Sequence, residues 1–256
     1  MVMIRQFWIW PTTSQKQRIN TYRWYREIHG PEYLRYWGPY MTRYETYRSY
    51  DAPADAIQTF GTWNNRTAEM WFISYEHWQE AMQPWGGATP PKVVETPNPN
   101  DWKIVNCLIP SRPTQNFMGT TLAPEDKTIV RWITMIRYPE GVSADEGDKW
   151  FLDIHSQEVM KQPGLLRYFS FRTLDADHPR RPTPQVPRPF HRLVEQWYED
   201  FEGWRKAVLE SGIKYTPPPW AEINAPPFLK PGVNFVNTFI GETPEIDFMR
   251  DVRPRP

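Results

Sequence analysis

The segment Trp24-Tyr-Arg-Glu-Ile-His29 recurs in this chain of 256 residues as Trp150-Phe-Leu-Asp-Ile-His155, 126 positions later. Residues 69–78, Glu-Met-Trp-Phe-Ile-Ser-Tyr-Glu-His-Trp, recur at 195–204 as Glu-Gln-Trp-Tyr-Glu-Asp-Phe-Glu-Gly-Trp, also 126 positions later. Two ordered segments that both carry tryptophan and share one offset are improbable by chance. They indicate a tandem duplication, which is the first feature to seek in any sequence.

A weaker sequence similarity links the later parts of the two copies. Residues 106–113 resemble 237–244 at an offset of 131, so the second copy has gained a few residues. The boundary should lie between Gly119 and Lys127. We therefore divide the chain into a first repeat, 1–122, and a second repeat with a C-terminal tail, 123–256.

Each copy has the same predicted order of elements. A first helix begins at a capping-box pattern, Ser14-x-x-Gln17 or Ser143-x-x-Glu146, and in the first copy it should end near Gly30-Pro31, because proline disfavours helix at the preceding residue. A second helix runs through Trp78 or Trp204, and in copy two it should end near Gly212. Apolar, aromatic-rich stretches predict four strands per copy: 2–10, 41–50, 67–73 and 103–109, then 128–138, 165–173, 193–198 and 233–240.

The order β-α-β-β-α-β is that of a ferredoxin-like unit. Two such units in one chain predict an α+β protein in which the two tandem ferredoxin-like repeats pair into a pseudo-dimeric α+β barrel, with the helices outside. Pairing of this kind would also remove exposed sheet edges.

The composition is neutral and rich in rings. The chain has 30 Lys+Arg, 30 Asp+Glu, 14 Trp, 13 Tyr, 13 Phe and 28 Pro, with a mean hydropathy of −0.71. The charge balance argues against nucleic-acid binding and against a polybasic membrane surface. Low aliphatic content approaches the range of disordered chains, but the many aromatic residues predict a core built from rings.

The cysteine content, the hydropathy and the proline-rich stretches bear on the cellular location and on the loops. A single cysteine, Cys107, excludes an internal disulfide, and no stretch is long and apolar enough for a transmembrane helix. Without a recognisable signal peptide, these features predict a cytoplasmic protein with no membrane partner. Three proline-rich stretches, 83–100, 178–189 and 215–231, are expected to be loops over the barrel or lids over a ligand cavity, and 250–256 reads as a tail.

The sequence from Trp24 to Pro31, which ends in His29-Gly-Pro, resembles the signature of the EthD-like family of dimeric α+β barrel proteins. In that family a helix ends in His-Gly-Pro, and a later strand reads like Ala68-Glu-Met-Trp-Phe72. The superfamily includes isomerases, polyketide dehydratases and decarboxylases, and cofactor-independent monooxygenases. The second copy departs from the pattern, because Ser156-Gln157 rather than Gly-Pro follows His155.

The histidines that end the repeated segment are the leading candidates for chemistry. The resemblance implies that His29 is an acid/base group or a substrate anchor, and His155 is its counterpart in the second copy. Histidine suits proton transfer near neutral pH. The alternative is a structural histidine that caps the helix. Tyr25 and Tyr44 are further catalytic candidates, as donors to a carbonyl or enolate oxygen.

A second set of residues is expected to bind substrate or to hold the fold. Glu69 and Glu195 open the third strand of each copy, and the favoured interpretation is ion pairing with arginines that recur at the same offset, such as Arg5 and Arg131. Aromatic residues on the strands could stack a ring-shaped substrate, whereas the repeated tryptophans and Cys107 are assigned to the core. The predicted binding residues are Trp8, Trp10, Arg5, Glu69, Trp132, Arg131 and Glu195.

The sequence therefore predicts a cofactor-independent lyase or isomerase that performs proton transfer on an aromatic, polyketide-like or lactone small molecule. No phosphate loop, metal-ligand spacing or serine-nucleophile motif is present. Chlorite-dismutase-like and dye-decolourising-peroxidase-like proteins share the duplicated plan, which leaves a haem enzyme with His155 as axial ligand as an alternative. A cofactor-free oxidoreductase and a non-catalytic carrier of hydrophobic ligands also stay open, as does a homodimer of the chain.

Overall fold

The computed structural model describes residues 3–11, 15–63, 65–82, 105–119, 129–174 and 189–251. These residues form the strands β1 Ile4–Pro11, β2 Met41–Arg48, β3 Asn65–Phe72, β4 Val105–Pro110, β5 Gln115–Asn116, β6 Val130–Ile136, β7 Arg167–Arg172, β8 Arg192–Tyr198, β9 Phe235–Gly241 and β10 Ile246–Asp247. The strands make two five-stranded antiparallel sheets, in the order β10-β2-β3-β1-β4 and β5-β7-β8-β6-β9, and each sheet takes four of its strands from one repeat.

Helices and turns join these strands in the order that the sequence predicts for a ferredoxin-like unit. The helices are α1 Gln15–Trp24, α2 Gly30–Trp37, α3 Ala54–Phe60, α4 Tyr75–Ala81, α5 Ala144–Trp150, α6 Ser156–Val159, α7 Phe201–Val208 and α8 Phe248–Asp251. Ser74 caps α4 and Asp200 caps α7 at positions 126 apart, each accepting a backbone N–H two residues into its helix.

The duplication is visible in the strand register. In the first sheet Ile4 pairs with Phe72, and in the second Val130 pairs with Tyr198, so both members of the pair are displaced by the same 126 positions. Equivalent residues of the two halves can therefore be compared one by one.

The two sheets face each other and share an interior. Side chains from both inner faces form one buried cluster, which includes Phe7, Ile133, Met135 and Leu193, and Cys107 is a fully buried member of it. The helices cover the outer face of each sheet, where each half has its own aromatic-rich core. The α+β fold predicted from the sequence, two ferredoxin-like repeats paired into a pseudo-dimeric barrel, is confirmed.

Each half also lends a short strand to the other half's sheet. The strand β5, from the end of the first repeat, pairs with β7, and β10, from the end of the second repeat, pairs with β2. Two edges that would otherwise expose unpaired backbone groups are thereby covered. The amide side chain of Asn237 strengthens the link, because it donates to the carbonyl of Phe60 in the first half at 2.8 Å.

The repeated segment forms a π turn in both halves, Tyr25–His29 and Phe151–His155. The expectation that the first helix ends near Gly30-Pro31 is wrong, since the chain continues as α2 to Trp37. The N–H of Gly30 bonds to the carbonyl of Tyr25, five residues back. Pro31 then occupies the start of a new α-helical segment, where a residue without an N–H is tolerated.

Three further expectations can be compared with the structure. The tail does not begin at 250, because α8 extends to Asp251 and buries Phe248. The helix through Trp204 ends at Val208, before Gly212. Stretch 215–231 lies over the second sheet's helical face, whereas residues 83–100, residues 178–188 and the boundary at 122 lie outside the described residues. No helix in the described ranges could span a membrane.

Candidate active site

A small cavity of about 50 Å³ lies in the second half, between the outer face of its sheet and the π turn, and α3 of the first half contributes Phe60 to its wall. Its walls are mainly apolar, which is typical of sites for small organic ligands. The sheet contributes Trp132, Thr134, Ile136, Tyr168, Val194, Gln196 and Phe235; the helices contribute Phe60, Phe151, His155, Val159 and Val208; Gln162 follows α6, and the proline-rich loop adds Tyr215, Pro226 and Pro227.

His155 lines this cavity at the end of the π turn. Its imidazole stacks on the indole of Trp150 with ring centroids 4.8 Å apart, and the ring of Tyr215 lies at 5.9 Å. The Nδ1 atom is buried and has no hydrogen-bond partner among the described residues. Burial lowers the pKa of His155 to about 4, against an opposing effect of Glu158. The ring is therefore neutral at pH 7, and one of its nitrogens carries a free lone pair.

A connected set of amides and phenols forms the polar wall of the cavity. Gln162 accepts from Tyr198 Oη at 2.6 Å and donates through Nε2 to Tyr215 Oη at 2.7 Å. Gln196 donates to Tyr198 Oη at 2.9 Å. Because Tyr215 accepts the amide of Gln162, its own hydroxyl proton remains available to a ligand. Burial raises the pKa of Tyr215, so that proton is present at pH 7.

Three positions of the same region carry larger side chains in the first half. In the second sheet, Thr134 and Ile136 of the cavity pair with Val194 and Arg192. The residues 126 positions earlier, Trp8 and Trp10, pair with Ala68 and Arg66 in the same way. Likewise Val159 occupies the position of Tyr33, 126 residues earlier. Exchanging two indoles and a phenol for Thr, Ile and Val leaves the space that the second half holds as a cavity.

His29 consequently lies in an aromatic core. Its ring centroid is 4.0 Å from Tyr33, 4.3 Å from Trp24 and 6.2 Å from Trp10. Only 5% of the residue is exposed, and neither ring nitrogen has a hydrogen-bond partner among the described residues. Burial, with a smaller effect of Arg66, lowers the pKa of His29 to about 3. The residue ranked first by sequence is thus neutral and enclosed by rings.

Tyr25 and Tyr44 form a buried pair beside His29, with their hydroxyl oxygens 2.6 Å apart. Burial raises the pKa of both phenols, so both stay protonated. The ring of Phe248, from the C-terminal helix, packs against Tyr44 with centroids 4.8 Å apart. A Cβ added to Gly30 would lie 2.1 Å from that ring, so glycine is what permits the close approach.

The charged residues predicted for the site lie elsewhere, between the two sheets. Arg5 contacts Glu69 at 3.1 Å and Glu195 at 2.7 Å, and Arg131 contacts both carboxylates at 3.1 Å. This arrangement matches the interpretation of these residues as recurring ion pairs. Because each arginine contacts a carboxylate from both halves, the set also ties the halves together.

The structure brings only part of the predicted set to the cavity. His155 and Trp132 line it, whereas Trp8, Trp10, Tyr25, Tyr44 and His29 belong to the first half's core. Sequence reasoning missed Gln162, Gln196 and Tyr215. Tyr215 opens a proline-rich stretch predicted as a loop over the barrel or a lid, but no local pattern marks the two glutamines.

A haem does not fit this cavity. The open space is small, an indole stacks directly on His155, and none of the described lining residues is a lysine or arginine that could pair with the two haem carboxylates. The donor set therefore suits a neutral small molecule better than a macrocycle with an axial imidazole.

Comparisons with known proteins bear on the fold. No family model matches the chain, and no curated protein is similar to it in sequence. An anthrone oxidase-like protein has a TM-score of 0.51 at 9% identity, over 94% of this chain and 91% of that one. Chlorite dismutase from Candidatus Nitrospira defluvii has a TM-score of 0.44 at 7% identity, over 93% and 90%. A candidate monooxygenase from Lactobacillus acidophilus NCFM reaches 0.34 at 14%, over 82% of both chains.

The similarity to the anthrone oxidase-like protein agrees with the topology. The chain has the fold of the dimeric α+β barrel proteins, with both halves of the barrel in one polypeptide. Membership of the EthD-like family in particular remains a prediction from the sequence.

Proposed function

We propose that the chain is a cofactor-independent lyase or isomerase that moves a proton next to a carbonyl group of a small aromatic or lactone-like molecule, bound in the cavity of the second half. One observation carries the proposal: a neutral histidine, unpaired at Nδ1, and a phenol with a free proton line the same apolar cavity. Those are the two groups that enolisation needs, a base and an oxygen-directed donor.

His155 is the proposed base. A nitrogen of the neutral ring takes the proton from the carbon next to the carbonyl, and the electron pair of that C–H bond moves to the carbonyl oxygen. The imidazolium that forms is poorly solvated, as the lowered pKa indicates, so it is stabilised mainly by the enolate beside it. This pairing favours rapid return of the proton, either to another carbon in an isomerase or to a leaving group in a lyase.

Tyr215 is the proposed donor to the developing enolate oxygen. Its hydroxyl already accepts the Gln162 amide, which orients the remaining O–H towards the free side of the oxygen. Gln162 is itself held by Tyr198. The network would therefore position the donor before the ligand arrives, which is the feature that makes such donors effective in catalysis.

Ligand entry requires the cavity wall to move. An apolar cavity of about 150 Å³ accommodates benzene, and the cavity here is about 50 Å³. The proline-rich loop that carries Tyr215, Pro226 and Pro227 forms the wall on the side away from the sheet. We assign to this loop the outward movement that admits a ring, followed by closure that excludes water.

Deuterium incorporation tests the proposal without knowledge of the natural substrate. The probe is 1-tetralone, a neutral bicyclic ketone with exchangeable hydrogens next to its carbonyl, incubated with the protein in D₂O and followed by NMR. We expect exchange above the buffer rate, its loss in His155→Phe, and a decrease of about 100-fold in Tyr215→Phe. An oxygen electrode in the same assay separates simple proton transfer from cofactor-free oxygenation.

The two histidines provide a matched comparison. His29→Phe alters the equivalent position of the first half. It is expected to leave the exchange rate within about twofold, since the activation free energy of proton transfer in the second half would be unchanged. Exchange that survives His155→Phe but not His29→Phe would refute the assignment to the second half. Saturable binding of 1-tetralone with no exchange would instead favour a carrier protein.

A further inference from the structure

A second and larger cavity, of about 280 Å³, opens at one end of the interior between the two sheets. The proposed proton-transfer site is on the outer face of the second sheet and does not use it. Aromatic and charged side chains line this opening, among them Trp71, Phe171, Trp197, Arg43 and Glu45. The paired Arg5, Arg131, Glu69 and Glu195 form its floor.

The floor is electrically balanced, but one further carboxylate is buried beside it. Glu45 has only 2% of its side chain exposed, and it accepts a hydrogen bond from Tyr47 Oη at 2.7 Å. Without another cation, the buried carboxylates Glu45, Glu69 and Glu195 would outnumber Arg5 and Arg131 by one. A buried carboxylate without a partner is costly, so this position requires a positive charge.

Arg43 supplies that charge from the rim. Its guanidinium is paired with Glu45 and lies 4.8 Å above the ring of Trp71, while 53% of its side chain is exposed. A buried carboxylate and an indole face are the two elements of a binding site for an organic cation. The Arg43 side chain now contacts both Glu45 and Trp71, and because it is exposed it can move into solvent without disturbing the buried core.

We propose that Glu45 and Trp71 form a binding site for a small amidinium or guanidinium compound, which enters the inter-sheet cavity in place of the Arg43 guanidinium. The planar delocalised cation is favoured over a compact ammonium because the residue now seated there is an arginine, whose planar group suits both a carboxylate and a ring face. The cavity beside Glu45 and Trp71 has room for the body of the ligand, and the Glu45 carboxylate, which no floor arginine neutralises, disfavours anions.

Benzamidine is the probe, and its binding is measured by isothermal titration calorimetry on the full chain. Arg43→Ala removes the internal competitor from an exposed position, so we expect benzamidine to bind this variant about tenfold more tightly than the native chain. Benzoate and neutral benzamide, which match the ring but lack the cation, should not show saturable binding to either protein.

Glu45→Gln in the Arg43→Ala background should abolish the binding, with thermal denaturation confirming that the variant is folded. Trp71→Leu gives an independent check and should weaken binding at least severalfold. The proposal is overturned if benzamidine does not bind the Arg43→Ala variant, if it binds no better than to the native chain, or if binding survives Glu45→Gln.

Discussion

The two buried histidines make the stability of this protein depend on pH in a way that can be calculated. Burial lowers the pKa of His29 from 6.5 to about 3. Below pH 6.5 the unfolded chain binds a proton at this residue and the folded chain does not. The unfolded state therefore binds more protons, and the free energy of unfolding falls as the pH falls from 6.5 towards 3. Above pH 6.5 both states are neutral at this residue, and its contribution is constant.

The magnitude follows from the same values. Between pH 8 and pH 5, His29 alone should lower the free energy of unfolding by about 2 kcal/mol, and the full effect below pH 3 would reach about 5 kcal/mol. His155, with a pKa lowered from 6.5 to about 4, should contribute a further loss of about 2 kcal/mol by pH 5. Together these are a large part of the 5–15 kcal/mol typical of a folded domain.

The assay is urea denaturation followed by tryptophan fluorescence at pH 8, 7, 6 and 5, for the native chain and His29→Phe. Carboxylates and other histidines titrate alike in both proteins, so the difference between them isolates this residue. We expect the variant to gain about 2 kcal/mol relative to the native chain between pH 8 and pH 5. A difference that stays constant over this range would refute the description of His29 as a neutral residue enclosed by rings.

Three further outcomes follow from the packing. Val159→Tyr, which introduces the residue found at the equivalent position of the first half, should abolish deuterium incorporation into 1-tetralone; unchanged exchange would show that the cavity is not the site. Glu195→Gln leaves the two buried guanidinium groups of the inter-sheet ion pairs with one carboxylate, and it should lower the free energy of unfolding, measured by urea denaturation, by about 3 kcal/mol. No change in that free energy would mean that the ion pairs are hydrated. Gly30→Ala should destabilise by about 2 kcal/mol through its clash with Phe248, and Phe248→Ala should make the two losses non-additive; simple additivity would argue against the contact.

Much of the fold could be predicted because the sequence pattern of each element occurs in both repeats. The strands observed lie within a few residues of those expected, since alternation and aromatic content are local signals. The short strands β5 and β10 were not predicted. A two-residue strand has no periodicity of its own, and its pairing depends on the other half of the molecule.

The helix boundary at Gly30-Pro31 shows where a local rule is insufficient. Proline disfavours an α-helix because it lacks an N–H, yet the preceding π turn has already shifted the hydrogen bonding by one residue. The chain therefore continues as helix through Pro31. Neither the π turn nor its repetition at 151–155 can be read from residue propensities.

Of the residues predicted for the site, only His155 and Trp132 line the cavity. The sequence favoured His29, because Gly-Pro follows it, over His155. Which histidine lines a cavity is instead decided by volumes contributed from strands and helices distant in sequence, such as Trp10 against Ile136 and Tyr33 against Val159. Gln162 and Gln196 belong to the cavity only because the fold brings them beside Tyr198.

We place the functional cavity beside His155 in the second half and none beside His29. A crystal structure of the full chain soaked with 1-tetralone tests this placement. We expect one molecule per chain, with its ring against Trp132 and its carbonyl oxygen within hydrogen-bond distance of Tyr215. Density beside His29, or an unchanged cavity at His155 with the ligand between the sheets, would contradict it.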